Sequence, residues 1–219
     1  MRQALMPQPK ILLTGFDAFG GASLNPSWQV VKALHGRQIA GHRVVAAQLP
    51  TVFGESLHRL QALLRQHQPA VVICVGQAGG RRAISLERVA INVNDAPLAD
   101  NAGSQPIDTP VVPDAPAAYF TTLPIKAMLA ALQRDGVAAE VSQSAGTFVC
   151  NHVFFGLMHA LATQPPLRHT RGGFVHVPYL PEQGPPSMAQ ADMVRGLRLA
   201  LCSALLADGD LALGAGAAH

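Results

Sequence analysis

Three cysteines and nine histidines supply the chain's options for nucleophilic chemistry. A thiol attacks as the thiolate, so it needs a base or a positive field beside it. Cys150 follows the stretch Ser144–Val149, which reads as the passage from a strand into the first turn of a helix. Unpaired amides and the positive end of the helix dipole favour a thiolate there. The ordinary alternative is a packed thiol, since free cysteine is among the most buried residue types. Cys74 and Cys202 take that ordinary reading. Cys74 lies inside the apolar run Ala70–Val75, and Cys202 follows Leu201 in a helix-patterned segment.

A base for Cys150 cannot be chosen by closeness in sequence. His152 and His159 share its helix, and a residue two positions away faces elsewhere on the cylinder, so His152 is a poor base. His176 stands at the end of a strand, within Phe174-Val175-His176-Val177. A satisfied core histidine is its alternative reading. Glu87 opens the segment Glu87–Val93. Read as one strand, that segment puts Glu87 on the face of Val89, Ile91 and Val93, with Arg88 and Asn92 on the other. A carboxylate on an apolar face needs a partner, either an imidazole or the guanidinium of Arg81 or Arg82. Asp95 and Asp100, in the adjacent loop, compete for the same role. The glycine-rich stretches Gly15–Gly21 and Gly76–Arg81 fit neither the P-loop nor the dinucleotide spacing. No Cys/His pair has zinc-ligand spacing, and no metal or organic cofactor is expected.

The elements that must hold these groups alternate between strand and helix patterns. Lys10–Thr14 is a short apolar strand. Asn25-Pro26 starts a helix, with Asn at the cap and Pro at the first helical position. Val44–Leu49 is a second strand. Pro50-Thr51 then starts a helix with Phe53, Leu57, Leu60 and Leu64 on one face, ended by Pro69. Ala70–Val75 has the continuous apolar character of a strand buried on both faces. Asp95 to about Leu123 is a long ordered loop rich in Pro, Asp and Gly. Pro124 starts a helix to about Arg134, Ala138–Ser142 is a strand, and a helix carrying Val149, Val153, Leu157 and Leu161 follows. Gly173–Val177 is the last strand, and the last helix carries Val194, Leu197, Leu201 and Leu205. This alternation, without a repeat or linker, predicts a single α/β domain with a largely parallel sheet and helices on both faces. In such sheets ligands bind at the carboxyl ends of the strands, where the Gly15, Gly76, Ser144 and His176 segments should converge.

Composition excludes several classes. With 49% hydrophobic and 13% charged residues, the chain is too apolar to be disordered. No apolar run reaches the roughly 18 residues of a membrane span, and the start MRQALMPQPK is too short and polar for a secretory h-region. Three cysteines make no disulfide framework, which points to the reducing cytoplasm. The net charge of +3 comes from scattered residues without a basic block, so nucleic-acid binding is not expected.

At these same segments the chain resembles the pyrrolidone-carboxylate peptidase (pyroglutamyl peptidase I) family of cysteine peptidases. The matching residues are ILLTGFDAFGG from Ile11, NPSW from Asn25, PTVF from Pro50, ICVGQAGGR from Ile73, ERVAINVN from Glu87, SAGTFVCNH from Ser144 and GGFVHVPYLPEQ from Gly172. They span roughly Lys10 to Leu206 in the family's order. Ala18 departs from the pattern, where the family commonly has proline. The resemblance implies a three-layer α/β/α sandwich with a mixed, mostly parallel sheet, of the phosphorylase/hydrolase-like type. It implies one domain over residues 1–219, with a core of about 10–206 and a frayed tail at 207–219. It further implies removal of N-terminal pyroglutamyl (5-oxoprolyl) residues from peptides, with Cys150 as nucleophile, His176 as base and Glu87 as the acidic member. A neutral lactam substrate calls for apolar walls, assigned to Phe16, Phe19 and Phe148, and for directed hydrogen bonds, assigned to Asn25 and Gln77, although Asn25 also suits a helix cap. Family members form dimers or tetramers, so a homo-oligomer is expected. The alternatives are a thiol amidohydrolase acting on a different acyl amide, or a non-catalytic small-molecule binder on the same fold.

Overall fold

The computed structural model describes residues 8–216. The first seven residues and the last three, parts of the two ends considered above, lie outside the described residues. In chain order the elements are β1 (Lys10–Phe16), α1 (Pro26–Ala33), β2 (Gln38–Ile39), β3 (His42–Leu49), α2 (Glu55–His67), β4 (Val71–Gln77), β5 (Ile84–Glu87), β6 (Val89–Ile91) and β7 (Ala118–Phe120). They continue with α3 (Ile125–Arg134), β8 (Ala139–Ser142), α4 (Val149–Thr163), β9 (Arg171–Val177) and α5 (Gln190–Leu206). Seven strands form one sheet in the order β2-β3-β1-β4-β9-β5-β8, and β6 and β7 form a separate pair. β3, β1, β4 and β9 run parallel, whereas β5 is antiparallel to β9 and β8 is parallel to β5. The sheet is thus mixed and mostly parallel.

Strand alternation divides the core into two layers. Ile11, Leu13, Ile73, Val75, Val175 and Val177 face α1, α3 and α5. Leu12, Val72, Cys74 and Phe174 face α2 and α4. Cys74 is fully buried among these side chains, as a packing cysteine. Helix α4 is buried nearly all round, from Val149 through Leu161, which fits its lack of a polar face. α5 buries Met193, Gly196, Leu197, Ala200, Leu201 and Ala204, a stripe shifted from the expected Val194–Leu205 line. Small residues set that shift, because Gly196 and Ala200 let the helix approach closely; a Cβ on Gly196 would lie 2.5 Å from Ile84.

Two expectations change on the sheet edge and in the turns. Glu87–Val93 is not one strand. Glu87 closes β5 in the main sheet, and Val89–Ile91 pairs with β7 instead. The break falls at Arg88, whose amide goes to Ser142 O while its carbonyl accepts from Thr121 N. Ala90, not Val89 or Ile91, is the fully buried residue of β6. α2 begins at Glu55 rather than Thr51. The amides of Thr51, Phe53 and Gly54 are taken by the side chains of Asp17, Asp100 and His152, at 2.7, 2.8 and 3.0 Å. Those bonds hold the turn open and postpone the helical ladder.

The start of α1 is capped as expected: Asn25 Oδ1 accepts from Ser27 N at 3.0 Å, and Pro26 takes the first position. The segment after α5 is better tied than a frayed tail. Asp210 accepts from the amides of Lys126 and Ala127, both at 2.9 Å, and so caps α3, which has Pro124 and no cap of its own. Among the described residues, no helix is long and apolar enough to cross a membrane.

The crossing of α1 over β1 depends on Gly15. A Cβ there would lie 2.7 Å from the main chain of Ser27 and Trp28. Gly15→Ala is expected to destabilise the fold by roughly 1–3 kcal/mol, the usual cost of overpacking. A urea-denaturation midpoint checks it, and an unchanged midpoint would show that α1 is free to move away.

Candidate active site

The alternation that builds the core also assembles the site. On β4, Val72, Cys74 and Gly76 share the face toward α4, and on β9 so do Phe174 and His176. Gly76 and His176 are partners in the β4–β9 register. Cys150 is the second residue of α4, packed over this face. Its sulfur needs the missing side chain of Gly76, because a Cβ there would come within 2.9 Å of Cys150 Sγ and 2.8 Å of the Phe174 ring. Phe174 also backs the His176 imidazole, with ring centroids 4.9 Å apart.

Glu87 reaches His176 from the antiparallel strand. Ser85 pairs with His176 across β5 and β9, so Glu87, two residues on, lies on the same face. Its Oε1 accepts from His176 Nδ1 at 2.7 Å and from Arg81 Nη1 at 2.8 Å. Both candidate partners of the sequence reading therefore hold the carboxylate together. Glu87 is fully buried. Burial alone would raise its pKa. Hydrogen bonding and charge from His176, joined by Ser142 and Arg81, outweigh it and keep the carboxyl below its ordinary value. Accepting on Nδ1's proton leaves Nε2 of His176 as the nitrogen able to take another.

Cys150 sits under opposed influences. Burial pushes its thiol up to about 12, the Glu87 charge and Cys74 act in the same direction, and Arg81 acts against them. The first main-chain bond of α4 runs from His152 N to Phe148 O, so the amides of Val149, Cys150 and Asn151 lie upstream of the ladder, beside the thiol. The site thus sets a helix start, which favours a thiolate, against burial, which disfavours it.

The neighbours of Cys150 have a different task. Asn151 Oδ1 accepts from Ile91 N at 3.0 Å, and its Nδ2 donates to Ile91 O and Val93 O, both at 2.9 Å. His152 Nε2 accepts from Gly54 N, so its Nδ1 donates to Asn94 Oδ1 at 2.9 Å. Burial drives the His152 pKa down to about 4, which keeps the ring neutral in that role. The sequence reading rejected His152 as a base and missed Asn151 altogether. The signal available was a polar pair, Asn151-His152, in an otherwise apolar helix.

The rival acids are accounted for. Asp100 accepts from the amides of Phe53, Ala102 and Ser104 at 2.8–2.9 Å, which hold its pKa down despite burial and make it a loop anchor. Asp95 binds Thr147 through its main chain: its amide donates to Thr147 O and its carbonyl accepts from Thr147 Oγ1.

The expected substrate contacts divide. Phe19 and Phe148 pack together at 5.9 Å, and Phe53, which the helix pattern had placed on α2, joins them edge-on at 5.5 Å. Phe16 does not belong with them; it is buried in the core against Phe174 at 6.3 Å. Asn25 is committed as well: Oδ1 caps α1 and accepts from Ser27 Oγ, while Nδ2 donates to Asp17 O. It serves as the helix cap, the other role the sequence allowed it. Gln77 lines an open cleft of about 740 Å³ with Phe19, Leu24, Leu98 and Tyr179, and its Oε1 accepts from Gln183 across the mouth. Phe19 and Gln77 connect that cleft to Phe148 and Gly76. Among the described residues no cluster of His, Cys, Asp and Glu has the makings of a metal site.

A thiol at a helix start, an imidazole and a buried carboxylate on a three-layer α/β sandwich define the class of cysteine-type hydrolases. The chain belongs to the pyroglutamyl peptidase family, whose model matches residues 9–206. It is 56% identical to pyrrolidone-carboxylate peptidase 1 of Ralstonia nicotianae, over 96% of this chain and 100% of that protein. It is 52% identical to the pyrrolidone-carboxylate peptidase of Escherichia fergusonii, over 95% and 99%. The crystal structure of pyroglutamyl peptidase I from Bacillus amyloliquefaciens superposes with a TM-score of 0.92 at 45% identity, covering 94% of this chain and 100% of that one.

The Glu87 geometry carries a pH dependence. A carboxyl held below its ordinary value of 4.5 adds stability that is complete above that value and is lost as pH falls through the lower folded value. Urea midpoints followed from about pH 7 to about pH 3 should fall, and Glu87→Gln should flatten part of that decline whatever its absolute stability. Superimposable profiles would mean that the pair contributes nothing to acid sensitivity.

Proposed function

We propose that this chain is a cysteine exopeptidase that removes an N-terminal pyroglutamyl residue from peptides through a thioester acyl-enzyme. The observation that carries the reading is the 2.7 Å bond between His176 Nδ1 and the buried Glu87 carboxylate, on the sheet face that packs against Cys150.

Because burial disfavours the thiolate, His176 is assigned the part of general base during attack. Its Nε2 takes the thiol proton as Cys150 Sγ adds to the pyroglutamyl carbonyl. Glu87 fixes the tautomer and stabilises the imidazolium that forms. Amides in the first turn of α4 receive the oxyanion, each donor worth about 3–4 kcal/mol in comparable sites. The imidazolium then protonates the leaving amine, and water, deprotonated by His176, hydrolyses the thioester. The cycle calls for no metal or organic cofactor.

The substrate's first residue is an uncharged lactam with no α-ammonium, so recognition rests on shape and directed hydrogen bonds. Phe19, Phe53 and Phe148 supply apolar walls, and Gln77 the polar contact. Three free cysteines support work in the reducing cytoplasm. We place the protein there as a single domain and a dimer or tetramer, without nucleic-acid or membrane binding.

Turnover of pyroglutamyl, prolyl and glutamyl amides tests the reading. The pyroglutamyl amide should exceed the prolyl one by at least about a hundredfold in kcat/KM, since a ring amide is what the polar contact reads. Activity confined to the prolyl or another acyl amide would point to a different thiol amidohydrolase. Cys150→Ser should lose roughly a thousandfold or more in kcat. Full retention of activity would remove Cys150 as nucleophile.

A further inference from the structure

Arg81 is a charged side chain that touches two parts of the site without lying on any element that bears a reacting group. It belongs to the turn between β4 and β5, and its side chain is 28% exposed. Nη1 donates to Glu87 Oε1 at 2.8 Å, the same oxygen that accepts from His176 Nδ1. Nη2 donates to Ser144 O at 3.2 Å, in the segment that leads into α4 and Cys150. The other carboxylate oxygen, Glu87 Oε2, is buried without a hydrogen-bond partner. Ser142 lies close enough to act on the carboxylate, but its hydroxyl donates to Ser144 O at 3.1 Å, so the bonds that orient the carboxylate are those to Oε1.

We propose that Arg81 is a positioning residue for the reaction assigned above. One guanidinium neutralises the buried acid while the imidazole is still uncharged, and ties that acid to the loop that delivers the nucleophile. The proposal rests on the reading under Proposed function and adds a residue to it. Its physical basis is charge order. Before the thiol proton moves, Glu87 and neutral His176 carry one negative charge in a fully buried place, and Arg81 is its counter-ion. Once His176 is protonated, the same oxygen is shared between two cations, which limits how tightly the carboxylate holds the imidazolium and lets the proton pass on to the leaving amine. The groups facing this centre are Arg81 from the turn, Glu87 from β5, Ser142 from β8, His176 from β9, and the Cys150 and Cys74 thiols from α4 and β4. Lysine could supply the charge but not the planar fork that spans Glu87 and Ser144.

The sign of the effect follows. Arg81 is bonded to the carboxylate oxygen that also accepts from His176, so removal of its positive charge favours an added proton at this centre. The acidic limb of kcat/KM must then move to higher pH.

The experiment compares wild type, Arg81→Gln, Arg81→Lys and Arg82→Ala across pH with a pyroglutamyl amide. In parallel, the pH dependence of Cys150 alkylation by iodoacetamide is followed. Arg81→Gln should lose about tenfold to a hundredfold in kcat, the usual weight of a charge-assisted hydrogen bond, with KM within about twofold. Its acidic limb should rise by roughly one pH unit. Arg81→Lys should keep the wild-type limb and recover part of kcat. Arg82→Ala, on a separate surface cleft with Ser187 and Asp192, should match wild type. A limb unmoved in Arg81→Gln, or full kcat in that variant, overturns the proposal. Should that variant fail to fold, Arg81→Lys decides: a wild-type limb with reduced kcat supports the proposal, and a raised limb overturns it. A wild type inert on the amide would count against the proposed activity, and the alkylation profile, which needs no turnover, would still test Arg81 by the same shift.

Discussion

A fully buried carboxylate is the constraint around which this site is arranged. Removing Glu87 from water costs several kcal/mol unless partners repay it. The structure meets that demand with one imidazole and one guanidinium on a single oxygen. Each partner comes from a different connection. β9 brings His176, the β4–β5 turn brings Arg81, and the antiparallel setting of β5 brings Glu87 itself. A wholly parallel sheet would direct the end of β5 the other way. The reversal of β5 and β8 at the edge of the sheet is therefore part of the site, not an incidental departure from α/β regularity.

The division of labour along Ser144–His152 follows from the same economy. Cys150 is surrounded by residues that do no chemistry and fix its position. Asn151 completes the hydrogen bonding of Ile91 and Val93, and His152 joins Gly54 to Asn94. Through these bonds the first turn of α4 is fastened to the 89–94 segment and to the turn before α2. The amides freed at the helix start stay in place because the side chains just beyond them are bound elsewhere.

How much of this could be read from the sequence depended on whether the signal was local. Asn25-Pro26 is a local signal, and α1 starts there. The apolar runs at Lys10 and Ala70 likewise became β1 and β4. The split between β5 and β6 was hidden because the alternation of Glu87–Val93 is sound as a pattern, while the break at Arg88 depends on Ser142 and Thr121, which are far away in sequence. The late start of α2 was hidden for the same reason, since Asp17, Asp100 and His152 claim its would-be first amides. Glu87, His176 and Cys150 were legible because each is an unusual residue for its surroundings. Phe16 and Asn25 each sit in a loop-rich motif, and the neighbours they engage, Phe174 for one and Ser27 and Asp17 for the other, carry no local signal. The tie between Asp210 and α3 had no local signal.

The pairing of Gly76 with His176 across β4 and β9 gives the site an all-or-none character. Side chains alternate along a strand, so a slip of one residue in β9 would turn His176 away from α4, and a slip of one residue in β4 would set Val75 or Gln77 against the sulfur in place of Gly76. No intermediate alignment leaves a weakened version of the same constellation. The hydrogen-bond register of two central strands thus acts as a checksum on the folded chain, in which assembly of the Cys150, His176 and Glu87 constellation requires correct sheet pairing.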